Sequence, residues 1–267
     1  MSGAPNLEYV LVGVEDRVAT VTLNRPDQRN PLSDGMLRDL LAGLGWCRAS
    51  AEVGVVVITG AGDRAFCAGA DLSSLLEGDQ ASDLDRHRGL HRFVELFLLL
   101  PELGKPVVGR INGHALAGGL GLACSCDLLV ATEQATFGTP EVNVGLWPAM
   151  VQAVLARNLP RKVLLEMMLL GERWTAAQMK ELGLVNRVVG SQQELDAVTY
   201  EIAGRLARKS AVVLEIGRSS FYAQQDMDFR AALEYLRSQL SLVQLSDDAG
   251  EGVRAFLEKR EPRFRGR

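Results

Sequence analysis

Three segments of this 267-residue chain combine glycines, small residues and a carboxylate in ways that ordinary core patterning does not require. In the first, residues 60–72, a loop containing Gly60, Gly62 and Gly69 follows the apolar run Val55, Val56, Val57 and Ile58, and Asp71 stands where it could cap a following helix. A strand-to-loop-to-helix turn of this kind aims free backbone N–H groups outward, where hydrogen bonding and the local dipole favour an anion. The loop lacks the Lys-Ser/Thr end of a phosphate-cradling loop and the glycine spacing of a dinucleotide fingerprint, which argues against a nucleoside triphosphate or NAD site. In the second segment, residues 111–123, a strand end runs through Asn112, Gly113, Gly118, Gly119 and Gly121 into an apolar helix start. Either turn alone reads as close packing through small residues. Together they supply two N–H donors able to converge on one oxygen, as stabilisation of a developing oxyanion requires.

The third segment, residues 136–148, carries Glu141 after Pro140 and before Val142, Val144, Leu146 and Trp147. Partial burial among these apolar residues would raise the carboxyl pKa toward the range useful for proton transfer. Taken alone, a solvated surface carboxylate is the simpler reading.

These segments need a scaffold. Residues 9–14 and 17–24 are β-branched runs separated by Glu15 and Asp16, which predicts a strand pair with a tight turn. Met36, Leu37, Leu40, Leu41 and Leu44 have helical spacing, with Ser33 or Asp34 as cap. Residues 55–59 and 106–111 predict strands with an apolar helix, 90–100, between them, hence right-handed crossovers and a largely parallel sheet. Beyond Pro148 the pattern turns helical over 151–159, 163–170, 194–208, 211–224, 229–245 and 251–259, with 184–189 extended. Nothing resembles a repeat or linker. The expected fold class is therefore α/β, a sheet-rich core over residues 1–200 with a helical section over 201–267 in the same structural unit.

Composition excludes several classes. A 47% hydrophobic content supports a large core, and a net charge of −4 provides no basic footprint for nucleic acid. Four cysteines and three histidines follow no metal-ligand spacing, so reduced structural thiols and no metal are expected. The N-terminal residues carry no basic-then-apolar signal, and no apolar run reaches the ~20 residues of a membrane span. A cytoplasmic protein without membrane partners is expected.

The residues quoted above resemble the crotonase superfamily, the enoyl-CoA hydratase/isomerase family, over nearly the whole length. The resemblance rests on Leu23, Asn24, Arg25 and Pro26 with Asn30 and Leu32; on Phe66, Cys67, Ala68, Gly69, Ala70, Asp71 and Leu72; on Asn112 and Gly113 with Ala117, Gly118 and Gly119; and on Cys126 and Asp127. It continues through Phe137, Gly138, Pro140 and Glu141 to Glu251, Gly252, Ala255, Phe256, Glu258, Lys259 and Arg260. It implies a spiral of ββα units with a helical C-terminal trimerisation section, self-associating as a homotrimer or hexamer. It also implies acyl-CoA thioester substrates, with coenzyme A entering as part of the substrate and no permanently bound cofactor. By the same resemblance the N–H groups of Ala70 and Gly118 form the oxyanion hole, and Glu141 is the general acid/base. Arg64, Ala65, Ala68, Ala70, Asp71 and Leu72 contact CoA, and Phe256 and Lys259 reach it, often on a neighbouring subunit.

Two departures bear on the reaction. Hydratases of the family use two glutamates, and the first falls at Gly121, where no proton can be held. The glycine-rich stretch usual after Pro148 reads Ala149, Met150, Val151 and Gln152. His114, His87, His91 and Glu95 are the nearest candidates for a replacement acid, though each reads more simply as structural or surface. Hydration of a 2-enoyl-CoA thioester is placed first, and isomerisation or thioester hydrolysis with the single Glu141 second. A non-catalytic acyl-CoA- or RNA-binding protein is the reading from another class.

Overall fold

The computed structural model describes residues 3–71 and 83–267, with side chains from residue 89 onward in the second stretch. The chain opens with an antiparallel pair, β1 (Val10–Glu15) and β2 (Val18–Leu23). Glu15 pairs with Val18, so the turn is Asp16-Arg17, one residue later than the sequence suggested, with φ of 46° and 66°. Positive φ at both central positions suits the twist of a two-residue hairpin.

The main sheet continues with β3 (Val55–Gly60), β5 (Val107–Ile111), β7 (Leu128–Thr132) and β10 (Arg187–Val189), in the order β1-β2-β3-β5-β7-β10, and every pairing after the first is parallel. A second sheet, β4 (Ala65–Cys67), β6 (His114–Leu116), β8 (Thr136–Gly138) and β9 (Arg173–Thr175), was not anticipated. Its strands have three residues each, too short for an alternating pattern to register. The chain thus places a short strand of this second sheet after each of β3, β5 and β7, and the turns read in sequence as strand-to-helix are strand-to-strand-to-helix. This is the ββα spiral.

The helices are α1 (Asp34–Ala49), α2 (Asp83–Leu99), α3 (Gly118–Cys124), α4 (Val151–Leu155), α5 (Arg161–Leu170), α6 (Ala176–Glu181), α7 (Gln192–Ala207), α8 (Ala211–Ala223), α9 (Phe229–Gln244) and α10 (Asp247–Glu258). Ser33, not Asp34, caps α1, its hydroxyl accepting from the Met36 N–H at 3.3 Å. Leu40, Leu44, Phe66, Leu96, Ile111 and Phe137 are fully buried in the large cluster on one face of the main sheet, each worth about 1.5–3 kcal/mol of burial. On the opposite face α7 brings Ile202, Ala203 and Leu206 onto Val55, Val57 and Val108. Residue 200, expected to end the core, lies within this helix.

Arg218 of α8 ties the C-terminal helices to the core. Its guanidinium donates to Asp127 at 2.7 Å and to the Leu100 and Pro101 carbonyls at 2.6 and 2.8 Å, at the end of α2. Asp248 of α10 is buried and accepts from the Ser210 hydroxyl and the Arg265 and Gly266 N–H groups, which strap the chain end onto that helix. Among the described residues no helix is long and apolar enough to cross a membrane.

Candidate active site

Two buried asparagines shape the first turn. Asn30 accepts from the Arg25 N–H and donates to the Ala61 and Ala65 carbonyls, both at 3.0 Å. Asn112 accepts from the Gly60 N–H at 3.1 Å and donates to the Gly62 and Ala65 carbonyls at 2.8 and 3.2 Å. With both N–H donors and the oxygen of each side chain bonded inside the protein, both carboxamides fix residues 60–65 against β5 and the β2–α1 connection. The loop continues through β4 to Gly69, whose carbonyl accepts from the Leu32 N–H at 2.7 Å.

The second turn packs directly on the first. Ala117 precedes α3 with φ 52° and ψ −127°, a strained conformation for a residue with a Cβ, and its N–H donates to the Gly138 carbonyl at 2.8 Å. Gly69 has φ +95°, and a Cβ there would lie 2.5 Å from the Ala117 Cβ and 3.3 Å from the Gly118 nitrogen. The Ala70 nitrogen in turn lies 3.8 Å from where a Gly118 Cβ would stand. The Ala70 and Gly118 amides are therefore neighbours, and neither donates to an acceptor among the described residues. Two adjacent unpaired donors at a strained turn are what a developing oxyanion needs.

Glu141 follows Gly138 by three residues, in a one-turn 3-10 helix, Pro140–Val144, so the strand that anchors Ala117 also delivers the carboxylate. It is partly buried rather than solvated, and its Oε2 is buried without a hydrogen-bond partner among the described residues. Burial pushes its carboxyl above the ordinary carboxylate range, against the weaker opposing effect of a hydrogen bond from its own backbone.

Gly121, one turn into α3 beyond Gly118, is enclosed. A Cβ there would meet Phe97 Cζ at 2.8 Å, Phe97 Cε1 at 3.2 Å and Val151 Cγ1 at 3.3 Å. Phe93, one turn before Phe97 on α2, covers Gly118 in the same way, its Cε1 3.3 Å from a Cβ placed there. Gly118 and Gly121 are thus walled by Phe93, Phe97, Leu32 and Val151.

Comparison with known proteins agrees with this architecture. A family model described as enoyl-CoA hydratase/isomerase matches residues 13–267. The chain belongs to the enoyl-CoA hydratase/isomerase family. It is 36% identical to the 2,3-dehydroadipyl-CoA hydratase of Escherichia coli, over 98% of this chain and 100% of that one. The crystal structure of an enoyl-CoA hydratase of Mycobacterium smegmatis superposes with a TM-score of 0.91 at 35% identity, covering 96% of this chain and 99% of that one. Human enoyl-CoA hydratase domain-containing protein 3 gives 0.90 at 32% identity, with 96% and 100% covered. The crotonase fold inferred from the sequence is therefore present, in a family of enzymes that act on CoA thioesters.

For a member of this family, the remaining expected site residues are placed unevenly. Arg64 and Ala70 are exposed and Ala68 is half-buried, so all three border the loop's open side. Ala65 is buried, and its carbonyl is occupied by Asn30 and Asn112. Asp71 pairs with Arg25 at 3.4 Å, and Leu72, together with the helix Asp71 was expected to cap, lies outside the described residues. Phe256 is 81% exposed, and Lys259 ends α10 with φ 54°. Among the described residues, none of the candidate replacement acids supplies the atoms nearest a Cβ at Gly121. The His114 Nδ1 sits 2.9 Å from the Thr136 hydroxyl, and burial, then Arg173, Arg29 and Arg64, lower its pKa. His91 and Glu95 form an exposed pair at 3.6 Å, and the His87 side chain lies outside the described residues. All four cysteines are free and buried. Phe93 and Phe97 were not singled out by sequence, whereas Val151 entered only as part of the departure after Pro148. Only the i, i+4 spacing of the two phenylalanines opposite the i, i+3 spacing of Gly118 and Gly121 could have suggested them.

Proposed function

We propose that this protein is a single-acid enzyme acting on acyl-CoA thioesters. The Ala70 and Gly118 N–H groups receive the thioester oxygen and Glu141 moves the proton. The reaction best supported is movement of a double bond, from a 3-enoyl-CoA to a 2-enoyl-CoA. Glu141 removes a proton from C2, the electron pair delocalises into a dienolate whose charge rests on the oxygen held by the two amides, and the same carboxyl returns the proton at C4. One base serves both half-reactions. Each oxyanion donor is worth about 10²–10³ in rate, and a positioned acid/base about 10²–10⁴.

The observation that carries this reading is the enclosure of Gly121 by Phe97 and Val151. The place of the first glutamate is filled with apolar atoms, so water lacks one of the two groups that would orient it. Hydration of a 2-enoyl-CoA is the second reading, favoured by the name and full-length coverage of the E. coli hydratase. Here Glu141 alone would orient the water and supply the proton. A non-catalytic thioester-binding protein would leave both esters unchanged.

Coenzyme A is assigned to the open side of the loop at Arg64, Ala65, Ala68, Ala70, Asp71 and Leu72. Phe256 and Lys259 reach the CoA of an adjacent copy. Phe229, Leu233, Leu245, Val253 and Leu257 are all more than half exposed, which supports self-association of the C-terminal helices as a trimer or hexamer. The test is purified protein offered crotonyl-CoA and a 3-enoyl-CoA, with the conjugated thioester absorbance followed and products weighed. Conversion of the 3-enoyl ester without gain of water supports isomerisation, and gain of water on crotonyl-CoA supports hydration.

A further inference from the structure

Two aromatic rings one turn apart on α2 are matched to two glycines one turn apart on α3. Phe93 covers Gly118 and Phe97 covers Gly121, their ring centroids 6.5 Å apart and tilted by 49°. At Gly121 the fit is tight enough that a larger residue has to displace the Phe97 ring. Carbon atoms settle at about 3.5–4.0 Å, whereas a Cβ at 121 would stand 2.8 Å from the Phe97 ring, with Val151 closing the other side at 3.3 Å. Phe97 packs against the main core, and Val151 is buried at the start of α4, ten residues beyond Glu141. A retained water needs about two to four polar partners, and neither side chain offers one.

We propose that Phe97, backed by Val151, is the specificity-determining residue of this site, filling the space from which a water would attack, so that the dienolate is reprotonated by Glu141. This rests on the reading of Glu141 as the single acid/base. It implies that Gly121 and Phe97 are a coupled pair: restoring a carboxylate at 121 is useless while the ring remains, and removing the ring admits water.

The test compares wild type, Phe97→Ala, Gly121→Glu and the double variant. For each, the ratio of crotonyl-CoA hydration to 3-hexenoyl-CoA isomerisation is measured on one preparation, so that the folded fraction cancels. The ratio is expected to rise by about tenfold or more in Phe97→Ala, equivalent to about 1.4 kcal/mol of differential barrier. It is expected to rise further in the double variant and to stay at the wild-type value in Gly121→Glu alone. If Gly121→Glu does not fold, Phe97→Ala decides the matter without it. An unchanged ratio in Phe97→Ala overturns the proposal. So does a Gly121→Glu protein that hydrates as readily as the double variant, or a wild type that hydrates and does not isomerise with Phe97 in place. Wild-type isomerisation that survives Glu141→Gln instead defeats the reading of Glu141, and is seen without any Phe97 variant. Turnover of neither ester removes both.

Discussion

Replacing Gly69 by alanine separates the contribution of the paired turns to catalysis from their contribution to stability. The new Cβ would stand 2.5 Å from the Ala117 Cβ and 3.0 Å from the Leu116 carbonyl oxygen, so the two turns must part by about 1 Å to reach ordinary carbon contact. Gly118 is the residue next to Ala117, and its nitrogen is 3.3 Å from the same Cβ, so the displacement falls on one of the two proposed oxyanion donors. A donor moved by that much leaves the 2.7–3.1 Å window, which costs about 10²–10³ in kcat, or about 2.7–4 kcal/mol. Folding suffers separately. An alanine at φ +95° costs about 1–3 kcal/mol and overpacking about another 1–3. Gly183→Ala is the control, because its φ is +82° and nothing lies within 4 Å of its Cβ, so it carries backbone strain alone. Thermal unfolding and steady-state kinetics on a 3-enoyl-CoA are measured for both variants. Both are expected to lose stability, and only Gly69→Ala to lose kcat. If Gly69→Ala keeps wild-type kcat while losing stability, the two turns do not form the oxyanion site.

Glu141→Gln is expected to unfold at a higher temperature than wild type at neutral pH. The folded-state pKa is raised by burial, so Glu141 contributes stability fully below its unfolded-state pKa and loses it as pH rises through the folded value. The advantage of Gln should therefore vanish in acid, and an equal advantage at all pH values would contradict it. Asp248 has the opposite sign. Its burial, which alone would raise the pKa, is outweighed by hydrogen bonds from the Arg265 N–H, the Ser210 hydroxyl and the Gly266 N–H, so its contribution is present above the ordinary aspartate range and lost as pH falls through the lowered value. Asp248→Asn should accordingly be destabilised at neutral pH and approach wild type in acid, read by denaturant titration. Arg218→Met leaves Asp127 and two carbonyls short of a donor and is expected to lose about 2–4 kcal/mol, with an unfolding midpoint equal to wild type ruling out the strap.

The scaffold was legible where hydrophobic periodicity is long. Helix α1, the buried strand β3 and the C-terminal helices all lie within a few residues of their sequence-derived positions. The second sheet was not, because three-residue strands are specified by their neighbours' hydrogen bonds and not by a pattern of their own. The shift of the first turn from Glu15-Asp16 to Asp16-Arg17 has the same origin, since pairing register decides which residues take positive φ. Glu141 could not be told from a surface carboxylate by its flanking residues, and its burial depends on the Pro140–Val144 turn. Gly121 was legible as a missing acid. That its place is already filled was not, because the filler, Phe97, is 24 positions away in sequence and meets it only through the packing of α2 on α3.

The most direct test of the single-acid account is turnover of a 3-enoyl-CoA by wild type and Glu141→Gln, with the conjugated thioester absorbance and product mass recorded together and CoA-ester binding measured in parallel. The expected result is a 2-enoyl product with no added water, lost by about 10² or more in Glu141→Gln while binding is retained. A product heavier by one water, or a Glu141→Gln protein as active as wild type, would contradict it.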